Sequence, residues 1–423
     1  MVGGSKHVYE PKITLHMFLT ISGGLNTTMS NKKLIFSEID HYAEAFRAIS
    51  RAVGNRPELG HEEFFASELL CSELSKYGFE VERGILDIKT SFIAVYDTGK
   101  SGPTVGLLCE YDALPEIGHA CGHHLICSMS VAAAVGLKAA LEGSGIGGKI
   151  RIYGTPAEET RGAKVPMAAA GLFDDCDFAL MAHPYHTFER SGESLALDAL
   201  QFEFHGLSAH AAASPYEGIN ALDAVLQLFN SINALRQQTR SDARIHGIID
   251  DGGKAPNIIP DYASAKFYIR SASRAYTNEL TAKVLRCAEG AALQTGCTLT
   301  TNAFEFSYDE LLTNEALSER FNANLIEAGI LPEQIETGKD HGSLDLGNVS
   351  VRCPAIHPFV KVVQDRLLLH TEAFRDAAMT EYALDGMLFG AKMLAATAYD
   401  VFADPALLAR IRTEFEQQTK SSS

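Results

Sequence analysis

Strand-length apolar runs alternate with helical segments along the first half of this chain, and near residue 197 that pattern gives way to another. The runs are Phe92 to Tyr96, Thr104 to Leu108, Ile150 to Tyr153 and Phe178 to Met181. Between them lies an Ala- and Leu-rich helical stretch, Met129 to Leu141, and helical spacing also recurs from Lys33 and from Glu62 to Tyr77. Such alternation predicts a mostly parallel sheet covered by helices, with functional residues at the carboxyl ends of its strands. From residue 197 the order changes. Leu200, Phe202 and Phe204 alternate with polar residues, and a helical face follows at Leu222, Val225, Phe229 and Ile232. Strand-like runs Ile245 to Ile249 and Ala263 to Arg270, a helix from Thr277 to Leu293 and a strand from Cys297 to Phe306 complete the series. The order βαββαβ over about 110 residues is the ferredoxin-like plan. It is flanked on both sides by α/β-type sequence, so we expect an inserted domain at 197–309 within a domain formed by 31–196 and 310–423. Hinges are expected near 196 and 310.

Composition narrows the function. Of 423 residues, 36 are basic and 53 acidic, a net charge of −17 with no basic run. Phosphate backbones and anionic membranes need clustered Lys and Arg, so nucleic-acid and membrane partners are not expected. The eight cysteines form no C-x-x-C pair, which points to reduced thiols and a cytoplasmic protein. Ile13 to Leu25 is interrupted by His16, Thr20 and Ser22, a poor secretory signal, and no apolar stretch is expected to reach transmembrane length. Residues 1–30 read as a flexible extension, with Met29 as a candidate natural start.

Four short segments carry chemistry. His119-Ala-Cys-Gly-His-His124 sets a thiol and an imidazole about a glycine that permits a tight turn, so both can face one metal site. Taken alone it could also be a solvated loop of histidines. Glu158 and Glu159 follow the strand ending at Tyr153. One adjacent carboxylate can ligate while the other faces substrate as a base, although acidic residues opening a helix would look the same. His183 and His370 are each ordinary hydrogen-bonding candidates by themselves. Together the four segments supply Cys, His, Glu and His at successive strand ends plus a distal His. That is a ligand set for one or two borderline metals with a spare carboxylate beside them.

The chain resembles the metallopeptidase-twenty family of aminoacylases, carboxypeptidase G and amino-acid-conjugate amidohydrolases. The stretches that carry the resemblance are Pro57 to Glu63, Cys109 to His124, Pro156 to Glu159, Gly206 to Ala211, Lys254 to Asp261 and His370-Thr371. Glu110 to Pro115 and Asp345 to Ser350 are most similar to aminobenzoyl-glutamate hydrolases and aminoacyl-dipeptidases. The resemblance implies a zinc-peptidase-like catalytic domain with an inserted lid and dimerisation domain, acting as a homodimer with two divalent ions per chain, Zn or Mn ahead of Co or Ni. It implies that Cys121 bridges the ions, that His123 and His183 complete one site, and that Glu159 and His370 complete the other. Glu158 would be the general base, and His210 would reach a neighbouring subunit's site to stabilise the oxyanion. Asn257 and Arg270 would contact the substrate's carboxylate or carbonyl. His357 lies on a loop suited to a structural hydrogen bond or a substrate contact. The resemblance further implies that His124 stands where relatives carry Asp or Asn, and Leu344 where they carry Ser or Thr. Either change would alter the surroundings of His123 or of the substrate.

These readings give a metal-dependent amidohydrolase for N-acyl or N-aroyl amino acids or dipeptides. Aminobenzoyl-glutamate-like conjugates come first and aminoacyl-lysine-type dipeptides second. The rivals are an aliphatic aminoacylase and a catalytically silent dimeric binding protein. A redox sensor built on Cys121 is a third.

Overall fold

The computed structural model describes residues 23–338 and 342–422. Most of the expected flexible extension, residues 1–30, lies outside the described residues. Its last positions are a correction, because helix α1 (Gly23–His41) already includes them. Docking accounts for the helix: Ile35 and Ile39 are fully buried and press against Gly136, where a Cβ would sit 2.9 Å from Ile39.

Along the chain follow α2 (Ala43–Gly54), α3 (Phe64–Lys76), β1 (Glu80–Arg83), β2 (Phe92–Asp97) and β3 (Thr104–Cys109). Next come α4 (His123–Ser144), β4 (Lys149–Gly154), α5 (Lys164–Ala169), β5 (Phe178–Leu180), β6 (His183–Tyr185) and β7 (Phe188–Arg190). The inserted run is β8 (Ala196–His205), α6 (Ala221–Leu235), β9 (Arg244–Asp251), β10 (Tyr262–Ser271), α7 (Arg274–Thr295) and β11 (Thr298–Ala303). The last part holds α8 (Glu315–Glu327), β12 (Ile335–Thr337), α9 (Leu346–Ser350), β13 (Ala355–Ile356) and β14 (Phe359–Lys361). Helices α10 (Glu372–Ala378), α11 (Glu381–Ala403) and α12 (Pro405–Ser422) close the chain.

The main sheet has strand order β1-β2-β4-β3-β5-β13. Strands β4, β3, β5 and β13 are mutually parallel, and β1 and β2 form an antiparallel edge. The sheet is thus mostly parallel, as the alternation predicts. Its four parallel strands point their carboxyl ends the same way, which fixes where the site can form. Helix α4 corrects one expectation: its 22 residues are long and apolar enough to cross a membrane. Its apolar surface is spent inside the protein instead, with 89% of its most apolar stretch buried.

The insert is an antiparallel sheet of order β11-β8-β10-β9 with α6 and α7 on one face. Alternation sends Phe202, Phe204 and Phe267 inward, where they pack with Val225, Leu228 and Leu280 in a core separate from that of the main sheet. A third sheet, β12-β7-β14-β6, has no counterpart among the runs expected from sequence. Each of its strands is three residues long, too short for alternation to register.

Candidate active site

The strand ends assemble the cluster. Glu110 and Asp112 follow β3, Glu158 and Glu159 follow β4, His183 follows β5, and His357 follows β13. Gly122 opens α4 with φ +85°, and a Cβ there would lie 2.6 Å from Pro184 Cγ. Only glycine satisfies both conditions, so Cys121 and His123 are set on either side of a turn that glycine alone permits. Ala157 adopts φ +65°, and its N–H donates to Glu63 Oε1 at 2.9 Å, which anchors the turn before Glu158. His370 also has positive φ, +61°, with its N–H bonded to Ala120 O at 3.0 Å. That bond ties the distal His to the Cys121 turn.

Six of the sequence-predicted residues come together. Cys121, His123 and His183 form one group able to hold an ion, and Cys121, Glu159 and His370 form a second. His123, Glu158 and Glu159 form a third. Cys121 Sγ lies 3.4 Å from His183 Nε2, and Glu159 Oε1 lies 3.2 Å from His370 Nε2. The rings are oriented from behind. His123 Nδ1 donates to Asp112 Oδ1 at 2.8 Å, and His183 Nδ1 donates to Pro184 O at 2.9 Å. Each therefore turns Nε2 with its lone pair toward the cluster. His123 Nε2 is buried and accepts no hydrogen bond. A buried imidazole nitrogen without a hydrogen-bond partner, facing thiol and carboxylate donors, fits a divalent ion that would take the place of its proton.

Asp112 has a second duty, accepting the Glu159 N–H on Oδ2 at 3.0 Å. This resolves the question raised by His124: the carboxylate behind His123 comes from Asp112, and His124 Nε2 bonds instead to Ala378 O at 3.2 Å. Leu344 is buried in an apolar cluster beside Leu311 and Leu346.

Electrostatics separate the two neighbouring glutamates. Burial, together with Glu110, Glu159 and Asp345 nearby, raises the Glu158 carboxyl well above its usual range. Burial also opposes ionisation of Glu159, but His370 and His123 outweigh it and hold its carboxyl below the usual value. The two neighbouring carboxyls are thus shifted in opposite directions.

A buried ionic group behind the cluster has no signal in the sequence. Lys164 is fully buried, and its Nζ donates to Glu110 Oε1 at 2.6 Å and Asp345 Oδ1 at 2.7 Å. Glu110 Oε2 then faces His123 Nε2 at 3.5 Å. Burial disfavours the lysine charge, but Asp345 and Glu110 more than offset it and raise its pKa.

Of the remaining predicted residues, one borders the cluster and the others lie on the insert. His357 is buried beside His183, ring centroids 5.5 Å apart. His210 and Asn257 are exposed on adjoining loops of the insert, joined by the Ala211 N–H to Asn257 O bond. His210 Nδ1 accepts the N–H groups of Ala212 and Ala213 at 3.2 and 3.1 Å, so its Nε2–H points outward as a donor. Arg270 reaches across to the catalytic part, where Nη1 donates to Ser343 Oγ at 3.3 Å.

Known proteins resemble this chain in sequence and fold. A family described as a peptidase dimerisation domain matches residues 197–295. The chain is 39% identical over 402 residues to a mouse (Mus musculus) Xaa-Arg dipeptidase, spanning 91% of this chain and 92% of that protein. It is 31% identical over 463 residues to a p-aminobenzoyl-glutamate hydrolase polypeptide of Escherichia coli (strain K12), spanning 91% of this chain and 95% of that protein. Among solved structures, a dinuclear metal-binding peptidase from Bacillus subtilis superimposes with a TM-score of 0.61 at 17% identity, covering 86% of this chain and 99% of that one. That likeness is one of fold.

Proposed function

This chain belongs to the metallopeptidase-twenty family and is a metal-dependent amidohydrolase, and from that premise we propose that it cleaves dipeptides ending in a basic residue. The 39% identity to a Xaa-Arg dipeptidase over nearly the whole chain supports that choice. The 31% identity to an aminobenzoyl-glutamate hydrolase favours aminobenzoyl-glutamate as a second reading.

In this reading Cys121, His123 and His183 hold one divalent ion, and Cys121, Glu159 and His370 hold the other. The mixed thiolate, imidazole and carboxylate set suits Zn or Mn first, with Co or Ni as alternatives. When bound, such ions polarise the scissile carbonyl and acidify a water. The chain's own groups do the rest. Asp112 keeps the His123 ring in its orientation. Glu158 takes a proton from the attacking water on its carboxylate and returns it to the leaving nitrogen as the amide C–N bond breaks. Its crowded, carboxylate-rich surroundings suit it to hold that proton between the two steps.

The outward Nε2–H of His210 serves as donor to the oxyanion of a partner copy's site, in a homodimer formed through the insert, 197–309. Arg270 and Asn257 bind the substrate's carboxylate and carbonyl, and His357 walls the pocket beside His183.

The observation that carries the reading is the sharing of Cys121 Sγ by two ligand groups with Glu158 beside them. The test is turnover by metal-reconstituted protein of Xaa-Arg and Xaa-Lys dipeptides, aminobenzoyl-glutamate and N-acyl amino acids. Glu158→Gln should lower kcat at least about a thousandfold while keeping two ions per chain. Retained turnover in that variant would remove Glu158 from the role of base.

A further inference from the structure

The open face of the insert's sheet carries an aromatic ring between two opposite charges. Side chains alternate along β10, so Phe267 and Ile269 face α6 and α7 while Tyr268 and Arg270 share the opposite face. The Tyr268 hydroxyl donates to Glu305 Oε1 at 2.6 Å. The Arg270 guanidinium lies 5.0 Å from the centroid of the same ring. Phe304 and His246 flank that ring at 5.3 and 5.5 Å.

This patch meets the catalytic part at two places. Arg270 bonds to Ser343, which lies two residues before Asp345. Just past Glu305, the Tyr308 hydroxyl donates to the carbonyl oxygens of Glu158 and Thr160, each at 3.1 Å, and Arg161 stacks on Phe306 at 5.0 Å.

The two charges do not pair with each other. Among the described residues neither Arg270 nor Glu305 has an oppositely charged partner within 4.0 Å, and Arg270 Nε is buried without an acceptor. Both side chains are partly withdrawn from water, where an unpaired charge is unfavourable. Tyr268 holds the carboxylate through its hydroxyl and the guanidinium packs near its ring, so both remain available to a third group.

We propose that Arg270 and Glu305 form a two-charge subsite that reads a basic carboxyl-terminal residue. Arg270 takes the terminal carboxylate, Glu305 takes the ammonium or guanidinium at the end of that residue's side chain, and the intervening methylenes lie on Tyr268. A glutamate in that position would set its side-chain carboxylate against Glu305, so the subsite discriminates against aminobenzoyl-glutamate. The inference rests on the dipeptide reading above and adds the residue that selects the side chain.

The experiment uses the metal-loaded full chain and dipeptides that share one first residue and end in Arg, Lys, norleucine or Glu. The lysine-over-norleucine ratio of kcat/KM should exceed one in the unaltered protein and fall about 10- to 100-fold in Glu305→Gln, chiefly through KM. Glu305→Lys should invert the preference toward the Glu-ended dipeptide, a gain that misfolding cannot imitate. Equal handling of lysine and norleucine by the unaltered protein overturns the subsite and leaves the dipeptidase reading standing. So does an unchanged ratio in Glu305→Gln together with no inversion in Glu305→Lys. A complete lack of turnover across the four dipeptides overturns both readings.

Discussion

The histidines behind the strand ends and the histidine on the insert have opposite hydrogen-bond polarity. His123 and His183 spend Nδ1–H on a carboxylate and a carbonyl, leaving Nε2 as an electron-pair donor in a buried pocket. His210 accepts two backbone N–H groups on Nδ1 and presents Nε2–H from an exposed loop. The first arrangement suits a cation and the second suits a developing oxyanion. The contrast extends to the charged groups. Behind the pocket, Lys164 is locked between two carboxylates, whereas on the insert Arg270 and Glu305 stay apart. One region is built for fixed geometry and the other for meeting something from outside.

The largest effect that could break this comparison lies in the buried group. Lys164→Met should strand Glu110 and Asp345 as uncompensated carboxylates and cost about 3 to 5 kcal/mol of unfolding free energy in urea titrations. A loss below about 1 kcal/mol would mean that the pocket does not depend on this ion group.

Next in size is the exposed donor. His210→Ala should lower kcat about 10²- to 10³-fold with a smaller change in KM. Mixing it with Glu158→Gln separates the two regions directly, because in a mixed dimer one site would combine an intact Glu158 with an intact partner His210. Activity should return on mixing. No recovery, with mixed dimers demonstrated, would mean that His210 acts within its own chain or not at all.

The smallest effect concerns Glu63, which anchors the turn before Glu158. Burial, aided by Asp112, raises its carboxyl from 4.5 to about 7. Between those values the folded protein keeps a proton that the unfolded chain releases, so stability falls as pH rises through that window and levels off above it. The fall amounts to about 3 kcal/mol. Glu63→Gln should flatten that part of the curve in denaturation series at pH 4.5, 6 and 7.5. An unaltered slope would assign the pH dependence to other groups.

Much of the molecule is legible in its local patterns. The strand runs from Phe92 to Met181 and the βαββαβ order of the insert follow from periodicity, since alternation and helical spacing are local properties. The Cys121-Gly122-His123 turn is equally plain, because its geometry depends on one glycine between two donors. The Lys164 group is not. Its partners lie 54 and 181 residues away, and no spacing rule links them. Asp112, three residues ahead of Pro115, looks like a turn cap or a supporting carboxylate, but only the fold joins it to both His123 and the Glu159 backbone.

By itself the sequence determined which residue types stand at the ends of which strands, and so that thiol, imidazole and carboxylate groups are available for one site. The tertiary structure decided which nitrogen of His123 and His183 faces inward, which of two neighbouring carboxyls is raised and which is lowered, and that Arg270 and Glu305 both approach Tyr268 without pairing. Those outcomes depend on distances between side chains brought together from remote parts of the chain. Burial and hydrogen-bond direction act at that range, where local pattern carries no information.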